Sequence, residues 1–273
     1  MRLDRLAIGV DLTNLSTRAA LWVARVFAPE ARIVLLHCVD PLLSDARAAG
    51  ERRLAESALA ELARRIGTHR SSYDVRVGDA ARCLADLAAE LDADLIAVGA
   101  HEEHPTREPG LGSTAQRLVR CSPVPVLLCT APPSGTPRSV LLPLNSGRVT
   151  AGLADWTHDV TARFGARLAL VHVEPRRASA RLTARHATGA RCEAPTRPWT
   201  DVARELPPER VFVDAMVGDN VEAVLAEARR FASDLVVLEA PDNDDAPAVN
   251  PFDRVLLRSE CPVLVIPPVE DAS

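Results

Sequence analysis

Short apolar runs punctuate this chain, and the period of the pattern changes between them. Residues 5–11 lead into a strand ending at Asp11, and 33–39, 73–77, 94–99 and 124–129 are further runs of strand length. A run that is apolar throughout, such as Leu95-Ile96-Ala97-Val98, suits a strand covered on both faces, as in a parallel sheet. The segments between carry apolar residues at helical spacing. Ala19, Leu21, Val23 and Val26 follow the capping residues Thr13, Asn14 and Ser16 and stop at Pro29. Leu54, Ala58 and Leu62 mark one face of a helix over 46–66, with arginines and glutamates on the other. Gly78-Asp79 opens a helix carrying Leu84, Leu87, Ala88 and Leu91, and a short helix covers 113–120. Strand and helix alternate, which predicts an α/β fold: an open, doubly wound parallel sheet with helices on both faces.

The pattern then starts again. Residues 130–139, TAPPSGTPRS, have the composition of a connector. Beyond them VLLPLN at 140–145 matches LAIGVD at 6–11, LVHVEP at 170–175 matches LHCVDP at 36–41, and AMVGD at 215–219 matches VRVGD at 75–79. SDLVVLE at 233–239 matches ADLIAVG at 93–99, and CPVLVIP at 261–267 matches VPVLLCT at 124–130. Matched segments in one order across both halves imply an internal duplication. The expected domains are 1–131 and 138–273, joined by 130–139.

Residues 94–114, DLIAVGAHEEHPTREPGLGST, are the most informative stretch. A buried strand ends at Gly99, and the glycine turn Gly110-Leu111-Gly112 opens onto a helix beginning Ser113-Thr114. A helix start presents backbone N–H groups and the positive end of a dipole, which suits a phosphate. An α/β protein builds its nucleotide site from such a strand, loop and helix at the carboxyl end of the sheet. The second half has lost these residues: Asn145 stands for Asp11, Glu239 for Gly99, and Val249-Asn250 for Gly112-Ser113. A side chain at a close-approach glycine blocks a phosphate, and Glu239 adds like-charge repulsion.

These residues resemble the universal stress protein family, which carries G-x2-G-x9-G-[ST] between its fourth strand and fourth helix. Gly99, Gly112 and Ser113 fit that pattern, whereas Glu102 takes the place of the middle glycine. Asp11 matches the aspartate ending the family's first strand, and Val39 the valine ending its second. The resemblance covers nearly the whole chain, because the pattern occurs twice. It implies two tandem Rossmann-like, adenine nucleotide alpha hydrolase-like domains, each a five-stranded parallel sheet in strand order 3-2-1-4-5. It further implies a stress-response protein binding ATP or another adenine nucleotide, with magnesium as a candidate companion. Adenine would lie near Val39, ribose near Asp11, and phosphates over Gly112, Ser113 and Thr114, in the first repeat alone. Some relatives hydrolyse ATP slowly, but no residue here identifies a general base. A carboxylate about 6 Å from a phosphate charge costs roughly 2–3 kcal/mol at an effective dielectric near 20. Glu102 and Glu103 therefore oppose binding unless they turn outward, a cation intervenes or Arg107 compensates. The alternative is an interaction scaffold that kept the fold without the ligand. The fifth strands, 124–129 and Val263–Ile266, are apolar edges in both copies. Unprotected edges tend to pair, so the two are expected to meet as an intrachain pseudo-dimer, with a homodimer of whole chains open as a further step.

Composition narrows the classes further. The chain has 273 residues, room for two cores, and is 47% hydrophobic but 3% aromatic, so those cores rest on Ala, Val, Leu and Ile. A net charge of −5 argues against nonspecific nucleic acid or anionic membrane as partner. No apolar run approaches the ~18 residues of a membrane span, and the amino terminus lacks a signal-peptide pattern, so the expected location is the cytoplasm. All 32 basic residues are arginine, which excludes a Walker A loop, a kinase strand lysine, a Schiff base and a Ser-Lys dyad. No G-x-S-x-G or H-E-x-x-H occurs, and no catalytic set is assigned. The cysteines 38, 83, 121, 129, 192 and 261 form no C-x-x-C and read as reduced packing residues. His101-Glu102-Glu103-His104, with His37 and His69 in the same repeat, offers zinc-type ligands but lacks a fixed further pair, so it reads as a polar loop with no metal. The arginines between 176 and 197, and Asp242, Asp244 and Asp245, read as solvated loops, the former with an acidic partner as the alternative.

Overall fold

A computed structural model describes residues 3–100, 111–131, 135–144, 150–175, 206–218, 220–240 and 251–267. The expectations resting on the loop 101–110, on Asn145, on the arginine-rich and acidic segments and on 249–250 lie outside the described residues.

The chain divides into a first unit of residues 2–136 with 260–267, and a second unit built on 137–259. In the first unit the strands are β1 (Arg5–Gly9), β2 (Arg32–Val39), β3 (Ser71–Val77), β4 (Leu95–Gly99) and β5 (Val126–Cys129). They lie in the order β3-β2-β1-β4-β5, all parallel. The register sets Leu6 between Ile33 and Leu95, and all three are fully buried. This is why the sequence there shows a continuous apolar run and no alternation.

Four helices complete this unit: α1 (Asn14–Trp22), α2 (Asp45–Ile66), α3 (Ala80–Leu91) and α4 (Ser113–Cys121). Local chemistry starts two of them. Thr13 accepts from the Ser16 N–H at the head of α1, and Asp79 from the Arg82 N–H at the head of α3. Two faces differ from the periodicity of the sequence. α1 runs into a π turn, Val23–Phe27, closed by the Ala28 N–H on the Val23 carbonyl at 2.8 Å. One extra residue per turn rotates the following side chains. The buried set is consequently Ala19, Ala20, Trp22, Val23, Ala24 and Phe27, with Leu21 and Val26 only half-buried. In α2 the buried stripe is Ala55, Leu59, Leu62, Ala63 and Ile66, while Leu54 and Ala58 face solvent. Two apolar stripes compete along that helix, and the one continuing to its carboxyl end meets the sheet.

The two fifth strands meet. β10 (Val263–Ile266) runs antiparallel to β5, with Val263 opposite Leu128, Leu264 opposite Leu127 and Val265 opposite Val126. The Thr130 hydroxyl donates to the Cys261 carbonyl at 2.9 Å beside this pair. β10 belongs to the first unit by its contacts, so the fifth strand of the second repeat lies with the five strands of the first. The reason is the edge itself: two short apolar strands satisfy each other's backbone groups and bury each other's side chains.

The second unit holds β6 (Ser139–Leu144), β7 (Arg167–Pro175), β8 (Val211–Gly218) and β9 (Leu235–Glu239) in the order β9-β6-β7-β8. This is the first unit's 4-1-2-3 arrangement, with β6–β7, β7–β8 and β6–β9 parallel. Among its described residues the helices are α5 (Ala151–Phe164), α6 (Asn220–Arg230) and α7 (Pro251–Arg258). Thr150 caps α5, and Gly165 ends it in the left-handed region at φ 60°. The ladders also correct one match between the halves. His172 lies opposite Leu144 and Ala215, while His37 lies opposite Val75 and follows Leu36, the partner of Gly9. His172 is therefore the counterpart of His37, one position away from the pairing of LHCVDP with LVHVEP. Among the described residues no helix is long and apolar enough to cross a membrane.

Candidate functional site

In the first unit a cavity of about 130 Å³ opens at the carboxyl ends of β1 and β4. Asp11, Gly99, Gly112 and Thr114, all singled out by the sequence, line it together with Gly9, Ser16 and His37. The two strand-end glycines do different jobs. A Cβ on Gly9 would stand 2.8 Å from Leu84 Cδ1 and 3.0 Å from Val98 Cγ1, so glycine there permits close packing. A Cβ on Gly99 would meet nothing nearer than Ser16 at 3.8 Å, an ordinary contact. Packing does not demand glycine at 99. Its effect is to leave open the space between β4 and the start of α1.

Asp11 is exposed and begins the turn into α1. Its Oδ1 accepts from the Thr13 N–H at 3.0 Å and the Thr13 hydroxyl at 2.7 Å. Its Oδ2 has no hydrogen bond among the described residues. Between them Leu12 takes φ 67°, a left-handed conformation that costs a non-glycine residue about 1 kcal/mol. Such strain recurs at ligand-binding turns.

Gly112 is the N-cap residue of α4, at φ −57° and ψ 144°, and no side chain caps this helix. Its N–H donates to the Ala100 carbonyl at 3.0 Å, and its carbonyl accepts from the Gln116 N–H at 2.9 Å. The Gly112 N–H is thus committed to the fold, and a phosphate here would rely on the turn that follows. Thr114 and Ala115 line the cavity, while Ser113 is exposed beside it. Among the described residues no arginine lines the cavity, so the positive end of α4 is the main cationic feature of that described lining. Arg117, one turn on, is held by Asp79, the cap of α3. Val39 stands apart: it is fully buried, does not line the cavity, and its carbonyl accepts from the Gly78 N–H at 3.1 Å.

His37 went unnoticed in the sequence as part of this region. It is 7% exposed, with Nδ1 2.8 Å from the Val10 carbonyl and Nε2 3.2 Å from Glu51 Oε1 of α2. It anchors the backbone from which Asp11 projects. The signal was present as a repeat, since His172 Nδ1 lies 3.3 Å from the Leu144 carbonyl, but the one-residue shift between the halves hid it.

The second unit treats the corresponding place differently. Glu239, at the end of β9 where β4 has Gly99, accepts a hydrogen bond from the Thr150 hydroxyl, and Thr150 caps α5 by accepting from the Leu153 N–H at 3.3 Å. A carboxylate occupies the space that Gly99 leaves open.

Residues 3–130 match the model of the Universal stress protein family. The first half of the chain is similar to this family. A universal stress protein from Archaeoglobus fulgidus is similar in structure over 99% of this chain and 98% of that one, with a TM-score of 0.72 and 17% identity. A functionally unknown protein from Pseudomonas aeruginosa is similar over 97% of this chain and 93% of its own, with a TM-score of 0.64 and 19% identity. At such identities the likeness is one of fold, and it extends through both halves of the chain. No curated protein matches. The chain is accordingly a tandem α/β protein that shares the fold of these two structures.

Proposed function

We propose that the first unit binds an adenine nucleotide in this cavity and that the protein acts as a binding module in a stress response, without turnover. The repeats behind this reading are 1–131 and 138–273, joined by 130–139. The observation that carries it is the conjunction at one sheet end of a space-leaving glycine, an aspartate with an uncommitted oxygen, and a helix start without a side-chain cap. Each alone is ordinary. Together they supply an acceptor for ribose hydroxyls and a positive backbone terminus for phosphate on one cavity. The ribose would lie at Asp11, and the phosphates over Gly112, Ser113 and Thr114. Isothermal titration with ATP, ADP, AMP and cyclic AMP tests this; one site per chain is expected, and two sites would contradict it.

A second reading, a scaffold with the same fold and no ligand, is favoured by two particulars. Val39 is withdrawn from the cavity, and the Gly112 N–H already serves Ala100. Absence of binding by all four nucleotides would select it.

A further inference from the structure

Cys38 lies on the cavity wall, next to the last residue of β2 and opposite Arg76 of β3. At the following residue the Val39 carbonyl receives the Gly78 N–H, so the chain leaves β3 for α3 directly beside the end of β2. α3 then carries Cys83 back over that turn: a Cβ on Gly78 would stand 3.3 Å from Cys83 Sγ. Ala80 and Leu84, which flank Cys83 on α3, line the same cavity as Cys38. Cys83 is close enough to raise the Cys38 thiol, and both are partly accessible. We propose that Cys38, on the cavity wall, and Cys83, on α3 beside it, are an oxidisable thiol pair, closed to a disulfide by exchange with a low-molecular-weight disulfide such as oxidised glutathione.

The step balances without any further oxidant. The Cys83 thiolate attacks one sulfur of the small disulfide, forming a mixed disulfide and releasing one thiol. Cys38 then loses its proton to solvent and attacks Cys83 Sγ, forming the internal bond and releasing the second thiol. Two protein thiols are oxidised and one disulfide is reduced. Burial, and after it the neighbouring Cys83, pushes the Cys38 thiol up to about 12, so Cys38 is the second thiol to react. Conversion of Cys83 to a mixed disulfide removes its contribution to that rise before Cys38 must react.

The other described cysteines lack this arrangement. Cys129 is fully buried, and burial pushes its thiol up to about 12. Cys261 is also buried, and Cys121 is exposed with no second thiol beside it among the described residues. In the second unit the corresponding positions are Val173, opposite Met216, and Ala223, five residues beyond Gly218. The pair belongs to the half that keeps the open cavity, and its chemistry is independent of what that cavity binds.

The test uses the full-length chain, incubated with oxidised glutathione, alkylated with iodoacetamide in denaturant, digested without reductant and mapped by mass spectrometry. The expected product joins the Cys38 and Cys83 peptides, two hydrogens lighter than the reduced pair, while Cys121 carries glutathione. In Cys83→Ala, which copies Ala223, Cys38 should be recovered alkylated. Recovery of both wild-type thiols alkylated alongside glutathionylated Cys121 would overturn the proposal. So would a Cys83 that stops at the glutathione adduct.

Discussion

The ends of β4 and β9 occupy the same place in their units and show how one residue changes what borders the start of the neighbouring helix. β4 ends in Gly99, and the space before α1 stays open. β9 ends in Glu239, whose carboxylate reaches Thr150, the cap of α5. In both units a threonine accepts an N–H from its own helix's first turn: Thr13 from Ser16 and Thr150 from Leu153. What differs is the partner given to that threonine. Thr13 donates to Asp11, at the cavity rim, whereas Thr150 donates across to the neighbouring strand. The fold is compatible with either arrangement. The first leaves an aspartate oxygen at the cavity rim, and the second ties a strand-end carboxylate to a helix cap.

The largest effect should come from making the first unit resemble the second. Gly99→Glu places a carboxylate in the open space at a position where a Cβ is tolerated. It should weaken adenine nucleotide binding about a hundredfold, as expected for a like charge within ~6 Å of phosphate at an effective dielectric near 20. Unchanged affinity by titration would remove the cavity from consideration. Gly112→Val should weaken binding about tenfold or more by crowding the head of α4, and the backbone at φ −57° accepts valine without strain. Circular dichroism run beside the titration separates lost binding from lost fold.

The reverse change, Glu239→Ala, deletes the hydrogen bond to Thr150 and should cost the second unit about 1–2 kcal/mol in chemical denaturation. A variant as stable as the parent would mean that Glu239 does not close its unit as described. Thr13→Ala removes the cap of α1 and should cost about 1 kcal/mol, read in the same way. The smallest effect is expected at the rim: Leu12→Gly relieves the left-handed strain at φ 67° and should change stability by less than about 1 kcal/mol in the stabilising direction. A clear destabilisation would show that the half-buried Leu12 side chain contributes more than its backbone costs.

Much of this was legible in the amino-acid order because it is set by near neighbours. The caps Thr13 and Asp79, the buried strand ending at Gly99 and the short helix after Gly112 follow from groups a few residues apart. The contrast of Gly99 with Glu239 was legible because the chain repeats itself. The buried faces of α1 and α2 were not. A π turn shifts the phase in α1, and in α2 two apolar stripes differ only in which one the sheet covers. His37 was obscured because equivalence between the halves depends on strand register, which hydrogen bonds between strands settle and local spacing does not.

By itself the sequence determined the alternation of strand and helix, the duplication and the loss of site residues from one copy, since each depends on residue type and local period. Only the tertiary structure decided the antiparallel register in which β10 meets β5, with Val263 opposite Leu128, because register follows from which unpaired backbone groups face each other across the edge. It also decided which glycine packs and which leaves space. Gly9 and Gly99 are the same residue at the ends of adjacent strands, and their roles separate only when the atoms a Cβ would meet are in place.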